Sequence, residues 1–245
     1  MRQIDWSIVE TQQRFRWDSS SESIYDRWRE EHKVAFFDGL YLESLSGTDF
    51  LEIGVGQGHL LEKLAKAHPE ARMSGIDISP VMVARARARG IADVRVASGN
   101  ELPFPEASFD AVCAGTWVMR YLDPHRALAE AFRVLRPGGR VAFDLPLLLG
   151  HATCLFTRVF RQDPRRWMAS IREAYLDLDA RTVSEWRAHL MRAGFAVIDV
   201  VGGIDFPIRS RSLSFRGRHR TTLGLTVASV VWFLGEKTEV RNLKR

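Results

Sequence analysis

Gly54, Gly56 and Gly58 fall at alternate positions of FLEIGVGQGHLLEKLA, residues 50 to 65, between an apolar strand-like run and a helical one. A glycine inside a strand or helix costs roughly 0.5–1 kcal/mol against alanine, so three together imply that something must come very close to the backbone. A dinucleotide fingerprint needs G-x-G-x-x-G, its pyrophosphate lying against the helix N-terminus. Here the spacing is G-x-G-x-G, with His59 standing where the last glycine of that fingerprint would be. The tighter spacing leaves a flat backbone ledge suited to a nucleoside without phosphate. Asp77 closes the next strand-like run, ARMSGID. A carboxylate there can accept hydrogen bonds from both hydroxyls of a ribose; taken alone it is equally a surface or capping aspartate.

Acceptor-side chemistry has fewer signals. Arg120 and Tyr121, in GTWVMRYLDP, offer a cation for an acidic substrate or an oxyanion and a hydroxyl beside it; the competing reading is a surface arginine and a packing tyrosine. His32, Asp144 and His151 are further candidates, each more readily structural than catalytic. Cys113 lies in an apolar run as a small core hydrophobe, and neither it nor Cys154 has metal-ligand spacing.

These residues need elements to hold them. From Thr48 to Pro146 short β-rich runs alternate with amphipathic ones, which predicts βαβ units around a parallel sheet. DFLEIGV, ARMSGID, DVRVA, FDAVCAG and RVAFDLP are the first five strands. Ser79-Pro80 and Asp123-Pro124 are cap-then-proline helix starts. Pro137-Gly138-Gly139 stops the helix that precedes strand five. Leu147 to Leu178 reads as helical and aromatic-rich. Thr182 to Glu185 fits a capping box opening a helix to Ala193. Strand six follows at about Ala196 to Val201, then strand seven in LTVASVVWFLG, antiparallel because no helix separates the two. The expected fold is α/β: a Rossmann-like, doubly wound, seven-stranded, mostly parallel sheet with an antiparallel last strand. The expected divisions are a helical N-terminal lid over residues 1–47 and a binding domain over 48–245. That domain would carry a helical cap insertion at about 147–181 and a basic loop at about 207–221.

Four motifs in order then make the resemblance specific. LEIGVGQG, GIDISPVMVARAR, VASGNELPFPEASFDAV and DPHRALAEAFRVLRPGGRV resemble the successive motifs of class I S-adenosylmethionine-dependent methyltransferases. The likeness is to their small-molecule, ubiquinone/menaquinone-biosynthesis group and covers about residues 25 to 146, with LMRAGFAVIDV as a fainter echo. It implies S-adenosylmethionine as cofactor. Gly54, Gly56 and Gly58 would pass its methionine and ribose portions, and Glu52 would order the loop or reach the amino group through water. Asp77 would hold the ribose hydroxyls and Ile78 would pack on the adenine. Ser98, Gly99 and Asn100 fall where the adenine contacts are made. The family usually has an acid two positions before Asn100, and this chain has Ser98 there, leaving a hydroxyl or the Asn100 amide to accept from the adenine amino group. Thr116 would offer backbone contacts beside the sulfonium. SIYDRWREEHKVAFFDGLYLESL resembles the family's Tyr-Asp-x-Trp helix, so Tyr25 and Trp28 would close over the cofactor, Tyr25 on its carboxylate; a plain covering helix is the alternative. With Leu155 to Trp167 it would roof an acceptor pocket, and an apolar or aromatic roof favours a small hydrophobic acceptor.

The composition is that of an ordinary globular protein: 245 residues, 46% hydrophobic and 27% charged. The longest apolar candidate, Leu223 to Leu234, is interrupted by Gly224, Thr226 and Ser229 and suits a buried strand rather than a membrane span. Polar and acidic residues stand where a signal peptide needs an apolar core, which predicts a cytoplasmic location. The net charge of +5 is uneven, with five arginines between Ile208 and Arg220. That run keeps an RNA- or protein-methylating enzyme open as one alternative, although no appended RNA-binding module or target-amide motif accompanies it. A cofactor binder that transfers no methyl group, or a cyclase on the same scaffold, is the other, since glycines and an aspartate report binding only.

Overall fold

The computed structural model describes residues 4–20, 37–146, 182–205, 215–220, 225 and 230–238. The expected cap insertion at 147–181 and most of the arginine-rich run lie outside these. The chain enters through α1 (Trp6–Asp18), whose start is capped by the Asp5 carboxylate accepting from the Ser7 N–H, and α2 (Asp38–Ser44). The alternating region follows: β1 (Asp49–Ile53), α3 (His59–Ala67), β2 (Arg72–Asp77), α4 (Pro80–Ala88), β3 (Asp93–Val96), β4 (Phe109–Ala114), α5 (Pro124–Val134) and β5 (Leu135–Pro146). Then come α6 (Val183–Arg192), β6 (Phe195–Asp205), β7 (Phe215–His219) and β8 (Val230–Lys237). The proline starts are as expected: Ser79 Oγ accepts from the Met82 N–H, and the Asp123 carboxylate from the N–H groups of His125 and Arg126. Thr182 and Glu185 form the reciprocal capping box of α6.

The sheet order is β3-β2-β1-β4-β5-β8-β6-β7. Strands β1 to β5 pair parallel, and β8 runs antiparallel to both β5 and β6. Seven strands thus form the expected mostly parallel sheet with an antiparallel last strand. That last strand is not at the edge. Val231, Trp232 and Phe233 are each 0% exposed, so both faces of β8 need cover and the strand sits between β5 and β6. An eighth strand, β7, lies inside the stretch expected as a basic loop and pairs antiparallel with β6. Pairing there satisfies backbone groups that a loop would leave to water, and an arginine-bearing strand is a common way to end a sheet.

Side chains alternate along each strand, so every strand feeds two cores. Phe50, Ala111, Cys113, Trp232 and Leu234 pack on one face with Leu40 and Tyr41 of α2, Leu61 and Leu64 of α3, and Val83 and Ala86 of α4. Leu51, Val112, Phe143, Val231 and Phe233 pack on the other with Leu128 and Ala131 of α5 and Trp186 and Leu190 of α6. The result is three layers. Because the chain runs outward from β1 to β3 and then returns to β4 beside β1, the carboxyl ends of β1 and β4 diverge into a crevice, the usual ligand site of such sheets.

Candidate active site

The turn after β1 is built by its glycines. Gly54, Gly56 and Gly58 have φ of +71°, +53° and +86°, a region that side chains with a Cβ rarely enter. At Gly54 a Cβ would also stand 2.5 Å from a Val118 methyl carbon. The N–H groups of Gly54 and Val55 both donate to the Ile76 carbonyl, at 2.8 and 2.9 Å, tying the turn to the end of β2. The next free N–H, that of Gly56, donates to Asp77 Oδ2 at 2.9 Å, while Asp77 Oδ1 accepts from the Ser79 N–H at 2.9 Å. Asp77 is buried, and that burial pushes its pKa up to about 6 against the pull of these N–H groups, with the Asp18 charge adding to the rise. A carboxylate has about four acceptor positions, so capacity remains for hydroxyl donors.

The opposite wall follows β4. Thr116 and Trp117 have φ of +63° and +66°, successive left-handed residues without glycine. Such conformations cost on the order of 1–3 kcal/mol each and persist only where the surroundings impose them. Asp144 imposes them here. Its Oδ1 accepts from the Trp117 N–H at 2.9 Å and its Oδ2 from the Thr116 N–H at 3.3 Å and the Tyr41 hydroxyl at 3.1 Å. Burial raises the Asp144 pKa to about 7 against those three donors. The 3₁₀ turn Val118–Tyr121 then turns Val118 and Tyr121 into the cleft. The Arg120 guanidinium stands 5.1 Å over the Tyr121 ring rather than in the cleft lining.

Between these walls lies a cleft of about 780 Å³, open solvent included. Ile53, Ile76, Ile78, Met82, Ala97 and Leu122 make it largely apolar. Gly99 is packed so tightly that a Cβ would come within 2.7 Å of both Ile53 and Leu122. Its third side is α1, which contributes Glu10, Gln13 and Trp17. The end of α1 is docked on α4: Ser79 Oγ donates to Asp18 Oδ1 at 2.6 Å, and Arg85 Nη2 donates to the Ser20 carbonyl at 2.8 Å. Among the described residues no cluster of His, Cys, Asp and Glu could hold a metal ion.

The structure brings Gly54, Gly56, Asp77, Ile78, Gly99, Thr116 and Tyr121 to one cleft. Other expected site residues stand apart from its lining. Gly58 opens α3, where a Cβ would meet Ile91 at 3.3 Å and Ala86 at 3.5 Å, so it serves helix packing. Glu52 is 4% exposed and lies behind the turn, in the buried company of Tyr41 and Cys113. Ser98 and Asn100 are turned toward α1. Asp144 positions the β4 loop rather than facing an acceptor. Tyr25, Trp28, His32 and His151 lie outside the described residues. Sequence reasoning missed Glu10, Gln13 and Trp17, although their i, i+3, i+7 spacing places them on one helical face. It also missed Met82, Val118 and Leu122.

Residues 51–143 match the methyltransferase-domain family. Demethylmenaquinone methyltransferase of Thermus thermophilus is 39% identical over 119 residues, 46% of this chain and 54% of that protein. Residues 51–143 are a class I S-adenosylmethionine-dependent methyltransferase domain. The 27-O-demethylrifamycin SV methyltransferase of Amycolatopsis mediterranei is 34% identical over 188 residues, covering 73% of this chain and 64% of that one. Across such relatives the chain spans between about a third and two thirds of their own length. In fold, the methyltransferase domain and its flanks resemble a Thermotoga maritima structure described as a possible histamine N-methyltransferase, with TM-score 0.67, 22% identity, and 96% and 100% of the two chains covered. The cleft of this domain suits the family's cofactor. Asp77 keeps acceptor capacity for a ribose, and the slot between Ile78, Met82, Gly99 and Leu122 is apolar as a purine requires.

Proposed function

We propose that this protein transfers a methyl group from S-adenosylmethionine to an oxygen, nitrogen or carbon nucleophile of a small, hydrophobic or aromatic metabolite. The observation that carries the reading is Asp77, buried at the carboxyl end of β2, bonded to the Gly56 N–H and facing an apolar cleft across from Thr116. Bound there, the cofactor supplies a methyl group already activated by its sulfonium, whose leaving group is a neutral thioether. The chain's task is then alignment and exclusion of water. Asp77 holds the ribose, Ile78 and Met82 flank the base, and the loop fixed by Asp144 presents the Thr116 backbone and the Tyr121 ring to the reacting end. Tyr121 is the hydroxyl available beside an acceptor, and Arg120, stacked on its ring, fixes its orientation. The lid assigned to residues 1–47 contributes α1 to the same cleft.

Similarity to enzymes named for rifamycin, menaquinone and malonyl-acyl-carrier-protein methylation supports a metabolite acceptor. No described helix is long and apolar enough to cross a membrane. The test is release of S-adenosylhomocysteine from S-adenosylmethionine across a panel of phenols, quinols, amines and polyketides. Turnover with at least one metabolite and none with RNA or protein is the expected result. Turnover only with a macromolecule, or calorimetric titration showing no binding of either cofactor form at millimolar concentration, overturns it.

A further inference from the structure

The β3 end of the cleft has a hydrogen-bond arrangement that the methyltransferase motifs do not account for. Ser98 stands where an acid would be expected, and both its hydroxyl and the Asn100 amide nitrogen are turned to Glu10 rather than to the cleft. Ser98 Oγ accepts from the Asn100 N–H at 3.0 Å and donates to Glu10 Oε1. Asn100 Oδ1 accepts from the Asp123 N–H at 3.0 Å, which fixes the amide so that its Nδ2 donates, and it donates to Glu10 Oε1 at 2.7 Å. Both polar side chains of this loop are therefore spent on locating one oxygen of Glu10, a residue 88 positions away from Ser98. Glu10 lines the cleft in the same apolar slot as Ile78, Met82, Ala97 and Gly99. One turn along α1, Gln13 Oε1 is buried on the same wall with no hydrogen-bond partner among the described residues. Glu10 and the Gln13 carbonyl thus place acceptors on this wall, while the donors of Ser98 and Asn100 are directed at Glu10. A ligand that suits it brings N–H groups of its own at the edge of a flat apolar ring.

Taking S-adenosylmethionine as the cofactor, as proposed above, we infer that Glu10 of α1 is the specificity-determining acceptor for the exocyclic amino group of its adenine. Glu10 supplies from the N-terminal helix the carboxylate that position 98 lacks. An ionised carboxylate only accepts, so a purine with a 6-oxo group in place of the amino group would set oxygen against oxygen. Losing a hydrogen bond to a charged group and leaving the partner unmatched lowers affinity roughly ten- to a hundred-fold. Glu10 also couples two events. The carboxylate lies on α1 and its anchors on the β3 loop, so the purine edge is completed only when α1 is docked.

Calorimetric titration with S-adenosylhomocysteine and its 6-oxo counterpart, S-inosylhomocysteine, tests this in the full chain. The wild type is expected to prefer the amino form about ten-fold or more. Glu10→Gln is expected to weaken S-adenosylhomocysteine binding by a similar factor and to erase the preference, since an amide can turn its NH2 to the 6-oxo group. Asp77→Asn should weaken both ligands alike and leave the preference intact. A preference that survives Glu10→Gln, or that moves with Gln13→Met instead, overturns the assignment while leaving the cofactor reading standing. So does tighter S-adenosylhomocysteine binding by Glu10→Ala, the mark of a side chain that blocks the slot. Failure of the wild type to bind either ligand removes the cofactor reading itself. Circular dichroism of each variant separates lost recognition from lost folding.

Discussion

Asp77 in the ligand-free protein balances burial, which favours its neutral form, against the backbone N–H groups of Ser79, Gly56 and Ile78, which favour its charge; the balance sets its pKa at about 6. Ribose hydroxyls donate, so they bind the ionised carboxylate. S-adenosylhomocysteine affinity should therefore rise with pH through about 6, by at most ten-fold per unit below it, and level off above about 7. Calorimetry at several pH values checks this. In Asp77→Asn the step should vanish, and a step of the same size in that variant would assign the titration elsewhere. For stability the sign is opposite. A carboxyl whose folded pKa is raised binds more protons folded than unfolded between about pH 4 and 6, so its contribution to stability falls as pH rises through that window. Asp144, raised to about 7, adds a contribution of the same sign up to that pH. Asp77 thereby exchanges stability for a charge held ready at the cleft, whereas Asp144 spends its charge on the Thr116 and Trp117 N–H groups that shape the β4 loop.

Among the elements, α4 is the hinge of the site because its cap has two partners. Ser79 is 0% exposed; its Oγ accepts from the Met82 N–H at 3.1 Å and donates to Asp18 at the end of α1. Removing it should cost the cap, about 1–2 kcal/mol, and loosen α1 from the cleft. Thr182 caps α6 by equally good geometry but far from the cleft. Urea unfolding and calorimetry on Ser79→Ala and Thr182→Ala separate the two consequences. Both variants should lose about 1 kcal/mol or more of stability, whereas only Ser79→Ala should weaken S-adenosylhomocysteine binding. Equal binding by the two would mean that α1 needs no anchor on α4. The opposite end of the sheet is held differently. Arg136 bridges Asp49 and Asp110 at 2.9 and 2.8 Å, and Arg72 reaches Asp49 at 2.5 Å, an ion-pair cluster at the amino ends of β1 and β4, away from the chemistry.

For the molecule as a whole, a ligand in this cleft touches α1, the β1 turn, the β2 end and the β4 loop at once, so binding should stabilise the entire fold. At a ligand concentration one hundred times Kd the gain is about 2.7 kcal/mol, which for a domain of this size raises Tm by roughly 5–11 °C. Scanning calorimetry with S-adenosylhomocysteine measures it; no shift at saturation would place the ligand outside the folded core. Much of this architecture was legible in the chain, because its signals are local. Alternating β-rich and amphipathic runs, G-x-G-x-G before a helix, Asp77 at a strand end, and the caps at Ser79, Asp123 and Thr182 each depend on neighbours a few residues apart. Local patterns could not say that β8 would slide between β5 and β6, that five residues of the arginine run would pair as β7, or that Asp144 would hold Thr116 and Trp117 in their left-handed turn. Nor could they bring Glu10 to Ser98. Periodicity and capping are set by φ, ψ and the adjacent side chains, whereas these contacts exist only once strand order decides which ends meet, and that order is chosen by the burial of whole faces.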